Sequence, residues 1–145
     1  MQLIVGGSNQ GKLDFALKQY HGSHQVELGG VRVDDTGSVP SQPTVVDENY
    51  RELSEVMQAS ILNHFHLIVR RWMMEGRELL PLVNQLIEEN GDTIIVTDEI
   101  GYGIVPMEAF EREYREQTGR LCCRIASNAA QVYRVVCGIP SRIKG

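Results

Sequence analysis

The chain has 145 residues, 42% of them hydrophobic and 23% charged, so we expect a single soluble globular domain over residues 1–145. Its net charge of −5 argues against a surface that binds nucleic acid. The apolar runs are too short to span a membrane, and Met1 leads directly into the first predicted strand. We therefore expect a cytoplasmic protein without a membrane span or signal peptide.

The three cysteines do not have the spacing of a metal site. Cys122 and Cys123 are adjacent on a predicted helix and point in different directions, and Cys137 lies apart from them. We interpret them as reduced thiols, and we predict no metal ligands among the protein side chains.

A glycine-rich segment joins the first predicted strand, residues 3–5, to a helix that begins near Asp14. Glycines let the backbone curl so that its N–H groups face phosphate oxygens, and the helix adds unpaired donors. Lys12 supplies a mobile full charge for the outer phosphates. The pattern predicts a phosphate-binding P-loop, and the alternative is a plain strand-to-helix turn. The predicted nucleotide-binding residues here are Gly6, Gly7, Ser8, Asn9, Gln10, Gly11, Lys12 and Leu13.

One residue departs from the P-loop pattern. The position after the lysine normally carries Ser or Thr, whose hydroxyl helps to hold Mg²⁺, and here it is Leu13. The loop amides and Lys12 remain, so nucleotide binding survives this loss more easily than catalysis does.

The first half of the chain then alternates between short strands and turns. We predict a break at residues 21–23, a strand at 25–28, a loop or short hairpin at 29–43 and a brief strand at 45–46. A helix is predicted to begin at Asp47, with its carboxylates in the first turn.

The second half has longer elements. Residues 60–66 are predicted as a buried strand leading into a helix over 67–74, followed by a helix over 77–89 and a central strand at 93–97. A long helix over 107–128 is predicted, with a possible break at 118–119. A strand over 131–137 then closes the sheet, which ends at 138–140.

This order predicts an α/β fold of the P-loop NTPase type, with a mostly parallel sheet and helices on both faces. Ligands bind at the carboxyl ends of the strands in such sheets. The loop at 6–12, residues 63–66 and residues 98–103 are therefore expected along one edge.

The chain resembles the adenosylcobinamide kinase / adenosylcobinamide-phosphate guanylyltransferase family of cobalamin (vitamin B12) biosynthesis. The resemblance rests on the loop at 6–12, the segment Asp98-Glu99-Ile100-Gly101-Tyr102-Gly103-Ile104-Val105-Pro106, the pair Gly119-Arg120 and the ending at 132–145. It implies phosphorylation of a cobinamide-type corrinoid and GMP transfer through a guanylyl-histidine. It also implies Mg²⁺ with ATP or GTP as the purine nucleotide, and a homo-oligomer, since trimers are usual in the family.

Several polar positions of the family are changed, so we interpret the chain as a shortened and partly degenerate member. The family's guanylyl-accepting histidine lies on a helix whose place is taken here by residues 29–43, which contain no histidine. Where the family has an acidic residue, this chain has Asn63, which can still hydrogen-bond a base or a water. We interpret the four histidines as ordinary surface or core residues. They are His21, His24, His64 and His66.

Three acidic residues are the remaining site candidates. Glu48 matches a family glutamate that contacts the guanine base, and the alternative is a first-turn carboxylate. Glu99 is our predicted catalytic partner of Lys12, orienting an attacking hydroxyl or a metal-bound water, with Asp98 as a further candidate. The alternative for Glu99 is a carboxylate satisfied by nearby loop N–H groups.

Three functions follow from this sequence. The first is a nucleotide-dependent cobinamide kinase in which guanylyl transfer is reduced or lost. The second is a nucleotide- or corrinoid-binding member that acts by assembly or regulation without turnover. A third is a kinase for another small alcohol.

Overall fold

The computed structural model describes residues 1–24, 26–28, 31–33 and 42–145. Strands and helices alternate through this part of the chain. In chain order they are β1 (Gln2–Gly6), α1 (Lys12–His24), β2 (Val26–Leu28), β3 (Val31–Val33), β4 (Val45–Val46), α2 (Leu53–Gln58), β5 (Ile61–Leu62), α3 (Phe65–Met74), α4 (Leu79–Glu89), β6 (Ile94–Asp98), α5 (Ala109–Asn128), β7 (Gln131–Val136) and β8 (Ile139–Lys144).

A six-stranded sheet in the order β4-β5-β6-β1-β7-β8 forms the centre of the fold. Its neighbours pair in parallel, except that β8 runs antiparallel to β7. The predicted mostly parallel α/β sheet is confirmed. The strands β2 and β3 form a separate antiparallel pair, in which the strand predicted at 25–28 pairs with residues 31–33 and no hairpin is seen within 29–43 among the described residues. Residues 29–30 and 34–41 of that segment lie outside the described residues.

The side chains of the central strands alternate between two apolar clusters, because successive residues of a strand point to opposite faces. Leu3 and Ile95 belong to the larger cluster, which α2, α3, α4 and α5 cover. Ile4 and Val96 belong to the smaller cluster, which α1 covers through Ala16. Helices therefore pack on both faces, as predicted.

Trp72 lies at the centre of the larger cluster and is fully buried. Its indole Nε1–H donates to the Tyr50 hydroxyl at 3.1 Å, which satisfies the one polar atom of a buried tryptophan side chain. This contact joins α3 to the turn after β4.

Two predicted boundaries in the first half are wrong. No break occurs at residues 21–23, since α1 continues to His24. A glycine inside a helix costs only about 1 kcal/mol, too little for Gly22 to end the helix by itself. The helix predicted from Asp47 begins only at Leu53, because Asp47 instead makes a turn in which its Oδ1 accepts from Asn49 N–H at 2.8 Å.

Three predictions for the second half are also wrong. The strand predicted over 60–66 covers only Ile61–Leu62, and Phe65 and His66 already belong to α3. The helix α5 is unbroken through Thr118 and Gly119. The sheet does not end at 138–140, because Cys137 and Gly138 form a two-residue turn that leads into β8. Both turn residues have positive φ, 50° and 75°, as a type I′ hairpin turn requires. The turn was missed because cysteine is uncommon in this conformation.

Within the described residues, no helix is both long enough and apolar enough to cross a membrane.

Candidate functional site

The glycine-rich loop connects β1 to α1 at the carboxyl end of the sheet. Gly11 has φ of +82°, which favours glycine. A Cβ on Gly6 would lie 2.4 Å from the Val135 carbonyl oxygen, so only glycine fits there without a shift of the backbone. The spacing of these glycines is therefore required by the loop's own conformation and by its contact with β7.

A pocket of about 290 Å³ opens beside this loop. The loop and the first turn of α1 form one wall, and the ends of β5 and β6 supply the other. The described residues that line it are Ser8, Asn9, Gln10, Gly11, Lys12, Leu13, Asp14, Asn63, His64 and Asp98. The predicted meeting of the loop with residues near 63 and 98 at one edge is observed.

Lys12 lies at the back of the pocket and is only 6% exposed. Its Nζ is 2.7 Å from Asp98 Oδ1, and it also donates to the Gly7 carbonyl oxygen at 2.5 Å. A buried ammonium needs such partners, because desolvation of an unpaired charge is costly. Lys12 is thus the positive charge of the pocket, held by an internal carboxylate.

Asp98 is held from its other side by His66. The Asp98 backbone N–H donates to His66 Nδ1 at 3.2 Å, so the proton of the neutral ring lies on Nε2. That Nε2 is 3.6 Å from Asp98 Oδ2. Burial lowers the pKa of His66 below its usual value, against the attraction of the Asp98 carboxylate, and His64 and Lys12 lower it further. His66 is therefore neutral at pH 7.

His64 stands at the edge of the pocket and is about half exposed, at 47%. Its φ of +50° is unusual for a residue with a side chain. The ring Nδ1 is 3.5 Å from Glu48 Oε2, close enough for an ion pair, although this buried oxygen has no hydrogen bond within the part of the chain that the structure describes.

A second hollow of about 520 Å³ runs along α3 from Glu48. Its lining is mainly apolar, and the described residues that line it are Glu48, Leu67, Arg70, Arg71, Met74 and Glu75. Glu48, the residue predicted to contact the base, thus lines this hollow, and its Oε2 lies 3.5 Å from Nδ1 of His64 at the edge of the first pocket.

Glu99 has a different neighbourhood from Asp98. Its carboxylate pairs with Arg134 at 3.0 Å, and its backbone N–H donates to the Gly6 carbonyl oxygen at 3.0 Å. Among the described residues that line the pocket, Asp98 is present and Glu99 is not. The structure brings Lys12, Asn63 and the loop together, and it turns the Glu99 carboxylate toward β7.

The donor set of the pocket fits a magnesium ion that arrives with a nucleotide. Mg²⁺ prefers oxygen ligands and is usually bound through one or two carboxylates plus substrate phosphates. Asp98 and Asn63 offer a carboxylate and an amide oxygen in the lining. Leu13 offers no oxygen, and its side chain packs against the smaller apolar cluster. No group of three or more His, Cys, Asp or Glu side chains that could hold a metal ion occurs in the described ranges.

Two features of the pocket were missed from the sequence. His66 was interpreted as an ordinary histidine, and the ring in fact bridges the backbone and carboxylate of Asp98. The contact between the loop and the hairpin turn at Cys137 was not foreseen, because its hydrogen bonds join residues 127 positions apart. The only available signal for His66 was its position just after a strand end.

In comparison with known proteins, a family model matches most of the chain, and curated relatives match about a third of it. A sequence model described as cobinamide kinase / cobinamide phosphate guanyltransferase (CobU) matches residues 39–143, which is more than half of the 145 residues. The match begins after the glycine-rich loop, so it is independent of the loop pattern.

Two curated relatives carry the description "Bifunctional adenosylcobalamin biosynthesis protein CobU". The protein from Salmonella typhimurium strain LT2 is 43% identical over 51 residues, and that from Escherichia coli strain K12 is 41% identical over 51 residues. The aligned stretch covers 35% of this chain and 28% of each relative.

Proposed function

Because the chain belongs to the cobinamide kinase / cobinamide phosphate guanyltransferase family, we propose that it binds a purine nucleoside triphosphate and phosphorylates a cobinamide-type corrinoid in cobalamin biosynthesis. The observation that carries the proposal is Lys12, a buried ammonium at the back of a pocket walled by the glycine-rich loop. ATP and GTP both remain candidates for the nucleotide.

The electrostatics of the pocket support phosphate binding. Backbone N–H groups in a glycine-rich loop and at the start of α1 attract anions. The entering phosphates take the place of Asp98 as partners of Lys12, so the ammonium keeps a counter-charge in both states. Lys12 then stabilises charge on the outer phosphates, which is the main protein contribution in phosphoryl transfer.

Release from Lys12 leaves the Asp98 carboxylate available either to orient the attacking hydroxyl of the substrate or to act as a ligand of a bound metal ion. His66 keeps that carboxylate in place from the opposite side. Glu99, next in the chain, is the second acidic candidate for this role and is held by Arg134. A bound Mg²⁺ would be held by Asp98 and Asn63, and it would neutralise phosphate charge.

Guanylyl transfer is proposed to be reduced or lost. The segment in the place of the family's acceptor helix contains no histidine in its sequence. Of the described histidines, His64 lines the pocket, and its Nδ1 faces the Glu48 carboxylate.

The second candidate function is binding without turnover, acting by assembly or regulation. It is favoured by the missing hydroxyl at Leu13 and by the two internal partners that already hold Lys12. The relevant ligand in that case is a nucleotide or a corrinoid.

Calorimetric titration with GTP and with ATP, each with Mg²⁺, tests nucleotide binding. The proposal expects saturable binding of one or both, and Lys12→Met should abolish it. Lys18→Met is the matched control, since Lys18 is an exposed lysine on α1. If neither nucleotide binds to the wild-type protein, the proposed function is wrong.

Mass spectrometry of adenosylcobinamide incubated with protein and nucleotide tests turnover. A phosphorylated product supports the kinase, and nucleotide binding without product supports the second candidate. Incubation with GTP labelled in the α-phosphate, followed by denaturation, tests the covalent step. We expect no label on the chain, and label that is lost in His64→Asn would assign guanylyl transfer to His64.

A further inference from the structure

We propose that Gln10 positions the phosphate-binding loop by clamping it to the hairpin turn between β7 and β8. The Cys137 N–H donates to Gln10 Oε1 at 2.6 Å, and the Gly138 N–H donates to the Gln10 carbonyl oxygen at 2.9 Å. The inference rests on the proposed nucleotide binding and adds a positioning residue to it.

The hydrogen bond from Gly138 N–H to the Gln10 carbonyl oxygen determines which way the Gly11 N–H points. Within a trans peptide the C=O and the following N–H point in opposite directions. All peptide bonds among the described residues are trans. Since Gly138 captures the carbonyl of Gln10, the N–H of Gly11 points away from the hairpin, on the side of the pocket that Gly11 lines.

The hydrogen bond from Cys137 N–H to Gln10 Oε1 strengthens the attachment of the hairpin to the loop. Gln10 Oε1 binds the turn residue next to Gly138, so two successive N–H groups of the turn converge on one loop residue. The loop and the turn are in close contact, since a Cβ on Gly11 would lie at van der Waals distance, 3.4 Å, from Gly138 Cα. The turn itself is specified by the positive φ of Cys137 and Gly138.

The clamp predicts an effect on phosphate binding that does not depend on the base. Gln10→Met removes the side-chain acceptor at similar length, and we expect it to weaken ATP, GTP and inorganic pyrophosphate alike, by about fivefold, the value of one ordinary hydrogen bond. Gln85→Met is the matched control, because Gln85 is an exposed glutamine on α4 with one side-chain hydrogen bond. That control should bind as the wild type does.

Amide hydrogen exchange by NMR gives a second readout. The Cys137 amide should exchange faster in Gln10→Met, and Gln10→Glu, which keeps an acceptor oxygen, should restore its protection. Urea unfolding identifies any variant that fails to fold, and in that case Gln10→Ala replaces Gln10→Met.

Equal affinities for wild type and Gln10→Met, or a Cys137 amide that exchanges as fast in the wild type as in the variant, would overturn the clamp and leave the proposed function standing. If the wild type binds neither nucleotide nor pyrophosphate, the proposed function fails, and the role of Gln10 fails with it. If the Cys137 and Gly138 amides are protected from exchange in that case, the hairpin contact is intact, and the failure to bind ligand lies in the pocket.

Discussion

The two walls of the pocket differ in the chemical groups that they present to a ligand. The wall at residues 8–12 combines a glycine-containing backbone loop, hydrogen-bonded to the β7–β8 turn through Gln10, with the Lys12 ammonium. The opposite wall presents the side chains of Asn63, His64 and Asp98 from two separate strand ends. Under the proposed function, the loop wall binds phosphate and the opposite wall supplies the groups that act on the substrate.

The largest effect is expected where the two walls meet, at Lys12. Lys12→Met should lower phosphoryl transfer to the corrinoid about 100-fold or more, because removal of one preorganised donor to developing charge has this effect in enzymes. Steady-state kinetics with Lys18→Met as the control would measure it. A Lys12→Met enzyme with undiminished turnover would show that the loop wall takes no part in catalysis.

The next largest effect should separate the two acidic neighbours. Asp98→Asn is expected to lower turnover about 100-fold, the range for loss of a group that accepts or orients a proton. Glu99→Gln should stay within about twofold, because it breaks only a partly exposed ion pair with Arg134. The two variants change one carboxylate each to its amide, so they are matched. The reverse order would assign the role to Glu99.

A smaller gain is expected at Leu13, on the loop wall. Leu13→Ser should raise turnover about fivefold, the value of one ordinary hydrogen bond, if placement of the metal is what limits the enzyme. Leu13→Ala is the control, because it removes the same apolar contacts without supplying a hydroxyl. Equal rates for the two variants would indicate that the side chains of the opposite wall, and not placement of the metal, limit turnover.

The smallest expected effect concerns the pH dependence of stability. Burial lowers the pKa of His66, so the unfolded chain takes up this proton at a higher pH than the folded protein does. The stabilisation that results is present above the pKa that His66 has in the unfolded chain, and it is lost as the pH falls through the pKa that His66 has in the folded protein. The free energy of unfolding from urea titration should therefore decrease from pH 7 to pH 5.

His66→Asn tests the assignment of that decrease, because asparagine keeps an acceptor near the position of Nδ1 but does not titrate. The decrease should become shallower in this variant. His21→Asn serves as the histidine control on α1. An unchanged slope in His66→Asn would assign the effect to other groups.

The sequence predicted most of the fold and the loop wall, because both depend on local patterns. The apolar run at residues 94–96 indicates a central strand, and strand, glycine spacing and lysine together indicate the loop. Family membership was also predicted correctly. The side-chain wall was predicted only in outline, since the strand ends at Asn63 and Asp98 could be placed on one edge but their contacts could not.

Long-range contacts account for what was missed. The orientation of Asp98 toward Lys12, and of Glu99 toward Arg134, follows from the alternation of residues at the end of β6 and from what β1 and β7 place beside it. The strand β8 was missed because the turn before it uses Cys137 at positive φ. Neither feature has a local pattern.

The pairing of Lys12 with Asp98 has a consequence for which anions the empty protein takes up. The binding free energy of a small anion is too small to displace the Asp98 carboxylate, whose Oδ1 already lies 2.7 Å from Lys12 Nζ. A longer polyanion gains more, since it touches the lysine and several loop amides together. We therefore expect the pocket not to bind chloride or single phosphate ions at the concentrations found in ordinary buffers, and to bind chains of two or more phosphate groups.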